Sequence, residues 1–559
     1  MHQPQYCDLI SGEYRLPWTY LHGIKDYVDM AAHLESVPGA RAVINFAPVL
    51  LEQISDYARQ INAYLGKGKC RCIRDPLLSA LVDPVLPVHS DQRMELVSAC
   101  LRVNRTRVID RFPAYRCLAG LAEHIQHQRM GMQYLSDQFL VDLLFWYHLG
   151  WLGETVRRSD MRVQRWQEQG GNFSLHDRRE LLTLIGELLS GIPARYAALA
   201  DDGRVELSVT PYAHPIMPLL LDLSSAREAM PDVELPGVAS YPDGEERCRW
   251  HVAEAIRVFE QYFGRRPSGC WPAEGSISQP TLELLDEYGF LWAASGETVL
   301  YNSLHAAGGG DTEFTTEDAV LRGYRLENSA LTCFFRDDRL SDKVGFEYSS
   351  WHADDAVANL VHDLEQIAMA NRGRELVVPV ILDGENAWEH YPENGYYFLQ
   401  ALYAKLGNHP LFKLSTFSEC LQEGVETAML PRLISGSWVY GTFSTWVGDR
   451  DKNRGWDMLG DARRAFAEAV INGQLDNEQL AVARSQLAVC EGSDWFWWFG
   501  DYNPADSVSD FESLFRVHLS NLYCMLGIEP PEYLAHTFAH GSGAPVLGGV
   551  MRHGQEMNN

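Results

Sequence analysis

Leu376-Val377-Val378-Pro379-Val380-Ile381-Leu382-Asp383 decides the reading of this chain: seven apolar residues follow one another and stop at a carboxylate. A continuous apolar run of this length fits a strand buried on both faces of a parallel sheet. Pro379 has no N–H to give to a ladder, which favours an edge position or a bulge. An incomplete barrel, with a gap and free edges, tolerates that better than a closed one. Working outward, Ala42-Val43-Ile44-Asn45-Phe46 and Val205-Glu206-Leu207-Ser208-Val209 read as strands of the same kind. So do a short run just before Trp271 and the stretch Leu291 to Ala294. Each ends in polar or aromatic residues and leads into a helical pattern, such as Leu50 to Leu65. The predicted class is α/β, with mostly parallel strands separated by helices.

Between about residues 88 and 200 the pattern is almost wholly helical, for example Arg93 to Val103, Ser136 to Leu149 and Arg178 to Leu189. This reads as a helical insertion between two strands. After about residue 410 strand signals fade, and helices are expected over Gly460 to Ile471, Asn477 to Val489 and Val508 to Leu526. The expected organisation is a barrel over 1–410, a C-terminal helical domain over 411–526, and a poorly ordered tail over 527–559, rich in Gly, Pro and His. No repeat or long low-complexity tract interrupts it.

The 559 residues exceed what one ordinary core holds, so two to four structural units are expected. Lys and Arg total 47 against 75 Asp and Glu, a net charge of −28. That field repels nucleic acid and anionic membranes, whereas a neutral polymer meets no such barrier. Eleven cysteines are scattered with no CxxC pair, which argues for reduced thiols and a cytoplasmic location. No apolar run approaches the ~20 residues of a membrane span, and the start carries no signal-peptide pattern.

In barrels of parallel strands, function gathers at the C-terminal strand ends, so a carboxylate ending an apolar strand stands out. Asp383 opens Asp383-Gly384-Glu385-Asn386-Ala387-Trp388-Glu389. Glu274 lies in Gly269-Cys270-Trp271-Pro272-Ala273-Glu274-Gly275-Ser276, with Ser278 as a candidate helix N-cap and Pro280 in the first turn. Cleaving a glycosidic bond needs one carboxyl to protonate the leaving oxygen and a second to attack or shield the anomeric centre. For retention the two lie roughly 5–5.5 Å apart. Trp271 and Trp388 offer apolar faces for sugar rings and lower the local polarity, which raises the acid's pKa. The plain alternative is that Glu274 and Asp383, like most of the 75 acidic residues, are solvated surface groups.

At these residues the chain resembles glycoside hydrolase family 57, particularly its amylopullulanase-like members. Five motifs are similar, in order: His2-Gln3-Pro4; Thr210-Pro211-Tyr212-Ala213-His214-Pro215-Ile216-Met217-Pro218-Leu219; Trp271-Pro272-Ala273-Glu274-Gly275-Ser276; Leu382-Asp383-Gly384-Glu385-Asn386-Ala387-Trp388-Glu389; and Thr445-Trp446-Val447-Gly448-Asp449, followed by Asn453 and Trp456. Phe335 to Asp342 and Glu491 to Trp498 are similar too, so the resemblance spans residues 2 to about 526. It implies a (β/α)7 barrel, a retaining mechanism on α-glucans, and no metal or other cofactor in catalysis. By the same resemblance Glu274 is the nucleophile and Asp383 the general acid/base. His2 and His214 then line the subsite of the cleaved sugar, Trp271, Trp388, Trp446 and Asp449 contact glucan, and Arg336 braces the carboxylates. The resemblance also implies a strand immediately before His2-Gln3-Pro4. The expectation is that Met1 is an internal methionine, that a first strand precedes it, and that His2 is unanchored without it.

Each residue also has a plainer reading. His214 could be a satisfied structural histidine, and Trp495 to Trp498 could be helix packing. Asp449 lies in a charged loop, and Asp337, Asp338 and Asp342 could simply pair with Arg336, Arg339 and Lys343. The expected partner is an α-1,4 glucan, with α-1,6 links also in reach, and branching activity ranks lower. Two other classes compete: a catalytically silent glucan-binding protein, and a metal-dependent hydrolase resembling α-mannosidases or deacetylases. The latter needs clustered His and Asp ligands, and the 19 histidines form no HxxxH or HExxH with supporting Asp spacing.

Overall fold

A computed structural model describes residues 1–66, 73–126, 129–308 and 316–543. Seven strands form one sheet: β1 (Ala42–Phe46), β2 (Val205–Val209), β3 (Gly269–Cys270), β4 (Trp292–Gly296), β5 (Gly323–Arg325), β6 (Thr332–Arg336) and β7 (Thr427–Met429). Their order is β1-β2-β3-β4-β6-β5-β7. All neighbours are parallel except β5 and β6, which are antiparallel. This is the framework of an incomplete (β/α)7 barrel, because β1 and β7 remain its two edges.

Side chains alternate across the sheet as the pleat requires. Trp292 and Ala294 of β4 and Phe334 of β6 point to an inner cluster, joined by Val43, Trp271, Val377, Ile381 and Phe417. Ala293, Cys333 and Phe335 face the opposite core, which packs against helices. The Trp292 ring lies against Gly269, where an added Cβ would come within 1.8 Å of it. Its indole N–H donates to Glu206 of β2 at 2.6 Å.

The helices follow their sequence signals. Pro48–Leu65 starts with proline in its first turn and buries Leu50, Leu51, Ile54, Tyr57 and Ile61 on one face. The predicted insertion is helical, and its 27-residue helix Leu175–Asp201 begins with a capping box of Ser174 and Asp177. In the C-terminal region, helices Arg450–Ile471, Asn477–Cys490 and Ala505–Met525 pack together. The sheet itself continues past residue 410, since β7 lies at 427–429. Beyond residue 527, Leu534 and Ala539 are buried and Pro504 bridges to Gly543, so this part of the expected frayed tail is docked. Residues 544–559 of that tail lie outside the described residues. The nine described cysteines are free; the Cys70-Arg71-Cys72 pair lies outside them. Among the described residues no helix is long and apolar enough to cross a membrane.

The stretch that prompted the barrel reading does not become a laddered strand. Residues 376–382 form no ladder and make scattered bonds, among them Val377 N–H to the Leu321 carbonyl (3.1 Å), Asp337 N–H to the Pro379 carbonyl (2.8 Å), Ile381 N–H to the Ser341 hydroxyl (3.1 Å) and Arg336 Nε to the Ile381 carbonyl (2.9 Å). Pro379 removes one donor, and the opposite flank faces a cleft rather than a neighbour. The cleft, of about 980 Å³, separates this segment from β1. At the C-terminal end of β1, Met1 donates its amino group to the Asn45 carbonyl (2.9 Å) and accepts from the Ala47 N–H (3.0 Å). These are the bonds of one parallel ladder position opposite Phe46. His2 is therefore anchored, contrary to the expectation from sequence.

Candidate active site

Chain segments converge where the parallel strands end. Past β2, Thr210 to Ala213 lead to His214, whose φ of 61° turns the backbone into the left-handed region. Past β3, Glu274 does the same with φ 56° and ψ 27°, and the Gly275 N–H closes the turn on the Pro272 carbonyl at 2.8 Å. Such a conformation costs a side-chain-bearing residue roughly 1–3 kcal/mol, so surrounding contacts must hold it. Trp438 supplies two: its backbone N–H donates to the Glu274 carbonyl (3.1 Å) and its indole N–H to the Glu274 carboxylate (2.9 Å).

Asp383 ends the extended segment and accepts from the Asn386 amide at 2.9 Å. Gly384 follows because a Cβ there would lie 2.7 Å from the Met1 side chain. Glu385, with no exposed surface, accepts the His2 backbone N–H at 2.9 Å. His2 thus becomes the hub. Its Nε2 lies 3.7 Å from the Glu274 carboxylate and 3.5 Å from Asp494, and its Nδ1 lies 3.9 Å from Glu385. Its ring stacks on His214 at 4.0 Å, with planes 10° apart.

The electrostatics follow from this crowding. Burial lifts the Glu274 carboxyl to about 7; the His2 charge and the Trp438 bond pull it down, while Asp383 and Asp494 push it up. Asp383 is likewise raised, by burial first, with His2 opposing and Glu385 adding. Two acids in one desolvated site cannot both ionise easily, so they titrate as a pair. Burial opposes charge on His2 as well, yet the Asp494 bond and the fields of Asp494, Glu385 and Glu274 carry it to about 10. Burial and the His2 charge depress His214, which stays neutral.

Of the residues predicted from sequence, His2, His214, Trp271, Asp383 and Trp388 line the cleft. Glu274 touches His2 beside it. Trp271 meets Trp438 edge-to-face at 5.2 Å, giving the site an aromatic wall. Trp388 is nearly buried and donates to the Gly384 carbonyl at 3.2 Å, which steadies the Asp383 loop. Arg336 braces indirectly: its Nε donates to the Ile381 carbonyl (2.9 Å) and its guanidinium lies over the Trp438 ring at 5.4 Å. Asp338 and Asp342 pair with it at 2.5 and 2.6 Å.

Trp446 has no exposed surface and Asp449 caps helix Arg450–Ile471 through the Asp451 N–H; neither is among the residues that line the cleft. The sequence reading missed Trp438, Glu385 and Asp494. Glu385 and Asp494 stood inside quoted motifs, and Trp438 follows a Gly-Ser step that gave no sign of a catalytic contact.

Among the described residues, one trio of metal-capable groups lies together: His2, His214 and Glu274, with ligand atoms within 4.8 Å of one another. A metal must lie in the plane of each imidazole at about 2.0–2.1 Å. Two rings stacked in near-parallel planes do not aim their lone pairs at one such point, so the trio does not fit an ion in this geometry.

In overall fold the chain is similar to the family 57 branching enzyme of Thermococcus kodakaraensis, with a TM-score of 0.56, 15% identity, and 94% of this chain and 88% of that one covered. A branching enzyme of Pyrococcus horikoshii gives 0.54, 16%, and 95% and 96%. The α-amylase AmyC of Thermotoga maritima gives 0.53, 13%, and 94% and 92%. No curated protein matches the chain in sequence. The profile of glycosyl hydrolase family 57 matches residues 1–433, well over half of the sequence. The chain therefore belongs to glycosyl hydrolase family 57.

Proposed function

We propose that this protein is a retaining glycosidase or 4-α-glucanotransferase acting on α-1,4-linked glucans such as starch, glycogen or maltodextrin, with α-1,6 links as a second target. Glu274 attacks the anomeric carbon while Asp383 gives its proton to the leaving oxygen. The glycosyl ester on Glu274 is then released to water or to a sugar hydroxyl, with Asp383 taking back a proton. The observation that carries this reading is the meeting of Glu274 and Asp383 at His2: Glu274 lies 3.7 Å from its ring, Asp383 lines the same cleft, and burial raises both carboxyls. With one proton shared between them, one acid is ionised for attack and the other protonated for donation. The half-buried faces of Trp271 and Trp438 suit the apolar C–H surface of a glucose ring. The names of the structural neighbours, branching enzymes and an amylase, agree with a glucan as substrate.

Product analysis on amylose, pullulan and maltotriose tests the substrate and separates hydrolysis from transfer. Glu274→Gln should abolish turnover without unfolding the protein. Asp383→Asn should slow polysaccharide cleavage while sparing the first step on substrates whose leaving group needs no proton. Near-normal activity in Glu274→Gln would end the assignment.

A further inference from the structure

Behind the two carboxyls lies a buried charge cluster that the reaction as drawn does not use. Glu491, with almost no exposed surface, accepts from the Tyr241 hydroxyl (2.6 Å), from Arg247 Nε and Nη2 (both 2.8 Å) and from His251 Nε2 (2.8 Å). Arg247 and His251 belong to helix Gly244–Phe263 between β2 and β3, whereas Glu491 ends helix Asn477–Cys490 of the C-terminal region. The cluster ties that region to the barrel and fixes the turn that follows. Two residues on, Ser493 donates its backbone N–H to the His214 carbonyl (2.9 Å) and its hydroxyl meets His214 Nδ1 (2.8 Å). Asp494 then reaches His2 Nε2 at 3.5 Å and His214 Nδ1 at 3.8 Å, and its Oδ2 is buried with no hydrogen-bond partner.

We propose that Asp494 is a positioning residue of this active centre, delivered from the C-terminal region to hold His2 as an imidazolium that keeps Glu274 ionised. The inference rests on the assignment of Glu274 as nucleophile. His2 Nε2 sits between Asp494 and Glu274, at 3.5 and 3.7 Å, so its charge is shared by both acids. The other groups facing it are Glu385, Asp383, the neutral His214 ring and the Met1 ammonium. Of these only the ammonium opposes a cation, and the Asn45 carbonyl engages it. Burial of the imidazole costs charge, and the nearest acid, Asp494, contributes most against that cost. Remove it and His2 gives up its proton near neutrality. Glu274, already lifted by burial, then loses the cation that holds it down and takes up a proton.

The test is a pH titration of His2 by NMR in the full chain, with histidine labelled at Cε1 and the His2 signal identified by its absence in His2→Gln. In the wild type His2 should remain protonated above pH 8. In Asp494→Asn it should titrate near neutrality, while kcat/KM at pH 7 falls severalfold and its acid limb moves upward. Asp494→Glu should restore part of both, which loss of a merely structural contact would not predict. A wild-type His2 titrating near the ordinary 6.5, or a signal that Asp494→Asn leaves in place, overturns the ion pair. A lowered His2 with unchanged kcat/KM overturns its link to Glu274. The NMR readout needs no turnover, so it stands even if Asp494→Asn folds poorly and only the wild type can be titrated. It is equally separable from Glu274→Gln, whose full activity would remove the nucleophile and leave the ion pair standing.

Discussion

Replacing Trp438 with Phe removes one hydrogen bond from Glu274 and keeps most of the aromatic wall. The indole N–H lies 2.9 Å from the carboxylate and favours its charged form. A hydrogen bond to a charged group contributes about 1.5–3 kcal/mol. If all of that acts on the ionised form alone, the Glu274 pKa rises from about 7 by roughly 1–2 units, at 1.36 kcal/mol per unit. At pH 7 the ionised fraction then falls about five- to fiftyfold, and kcat/KM falls with it. The assay is kcat/KM against pH on a maltooligosaccharide, with thermal unfolding as a control for the fold. The acid limb, set by the titrating pair, should move to higher pH, and activity should recover as the pH is raised. An acid limb that stays in place, or a loss equal at every pH, would refute the reasoning.

Gly269→Ala forces a Cβ to 1.8 Å from the Trp292 ring and should destabilise the protein by roughly 3 kcal/mol, read by denaturant unfolding. Trp446→Ala should cost about 3–5 kcal/mol of stability with KM unchanged, because the ring is buried; a raised KM at unchanged Tm would instead mark it as a sugar platform. The Glu491 carboxyl, although burial opposes its charge, is held down to about 2 chiefly by Arg247, with the His251 bond adding to it. A depressed carboxyl stabilises above its unfolded pKa of 4.5, and that contribution drains away as the pH falls from there through about 2. Glu491→Gln should therefore flatten the acid-induced loss of stability measured between pH 5 and 2, and it should destabilise the protein at pH 7 by leaving Arg247 buried without its ion partner.

Strands β1 to β4 are legible in their apolar runs because each is short and leads on to a helical period. The apolar run 376–382 signals a strand and yet lacks a ladder, since Pro379 gives no N–H and its outer flank faces the cleft. β7, only Thr427–Met429 and largely exposed, is too short for Ala428 and Met429 to stand out as an apolar run. Glu274 and Asp383 stand out in the sequence because each carboxylate follows a short apolar run and precedes a glycine, and the fold brings both to His2. Asp494 was hidden in an aromatic run whose packing role is real: Trp495 and Phe496 are both fully buried. What no local pattern conveys is convergence, as His2 meets a residue 492 positions away only through the docking of the C-terminal helices.

Incubation with a fluorinated glucosyl fluoride, whose glycosyl-enzyme hydrolyses slowly, followed by peptide mass analysis, tests the central claim most directly. A glucosyl ester on the peptide carrying Glu274, absent in Glu274→Gln, is the expected result. An unlabelled but active enzyme, or a label carried by another carboxylate, would contradict it.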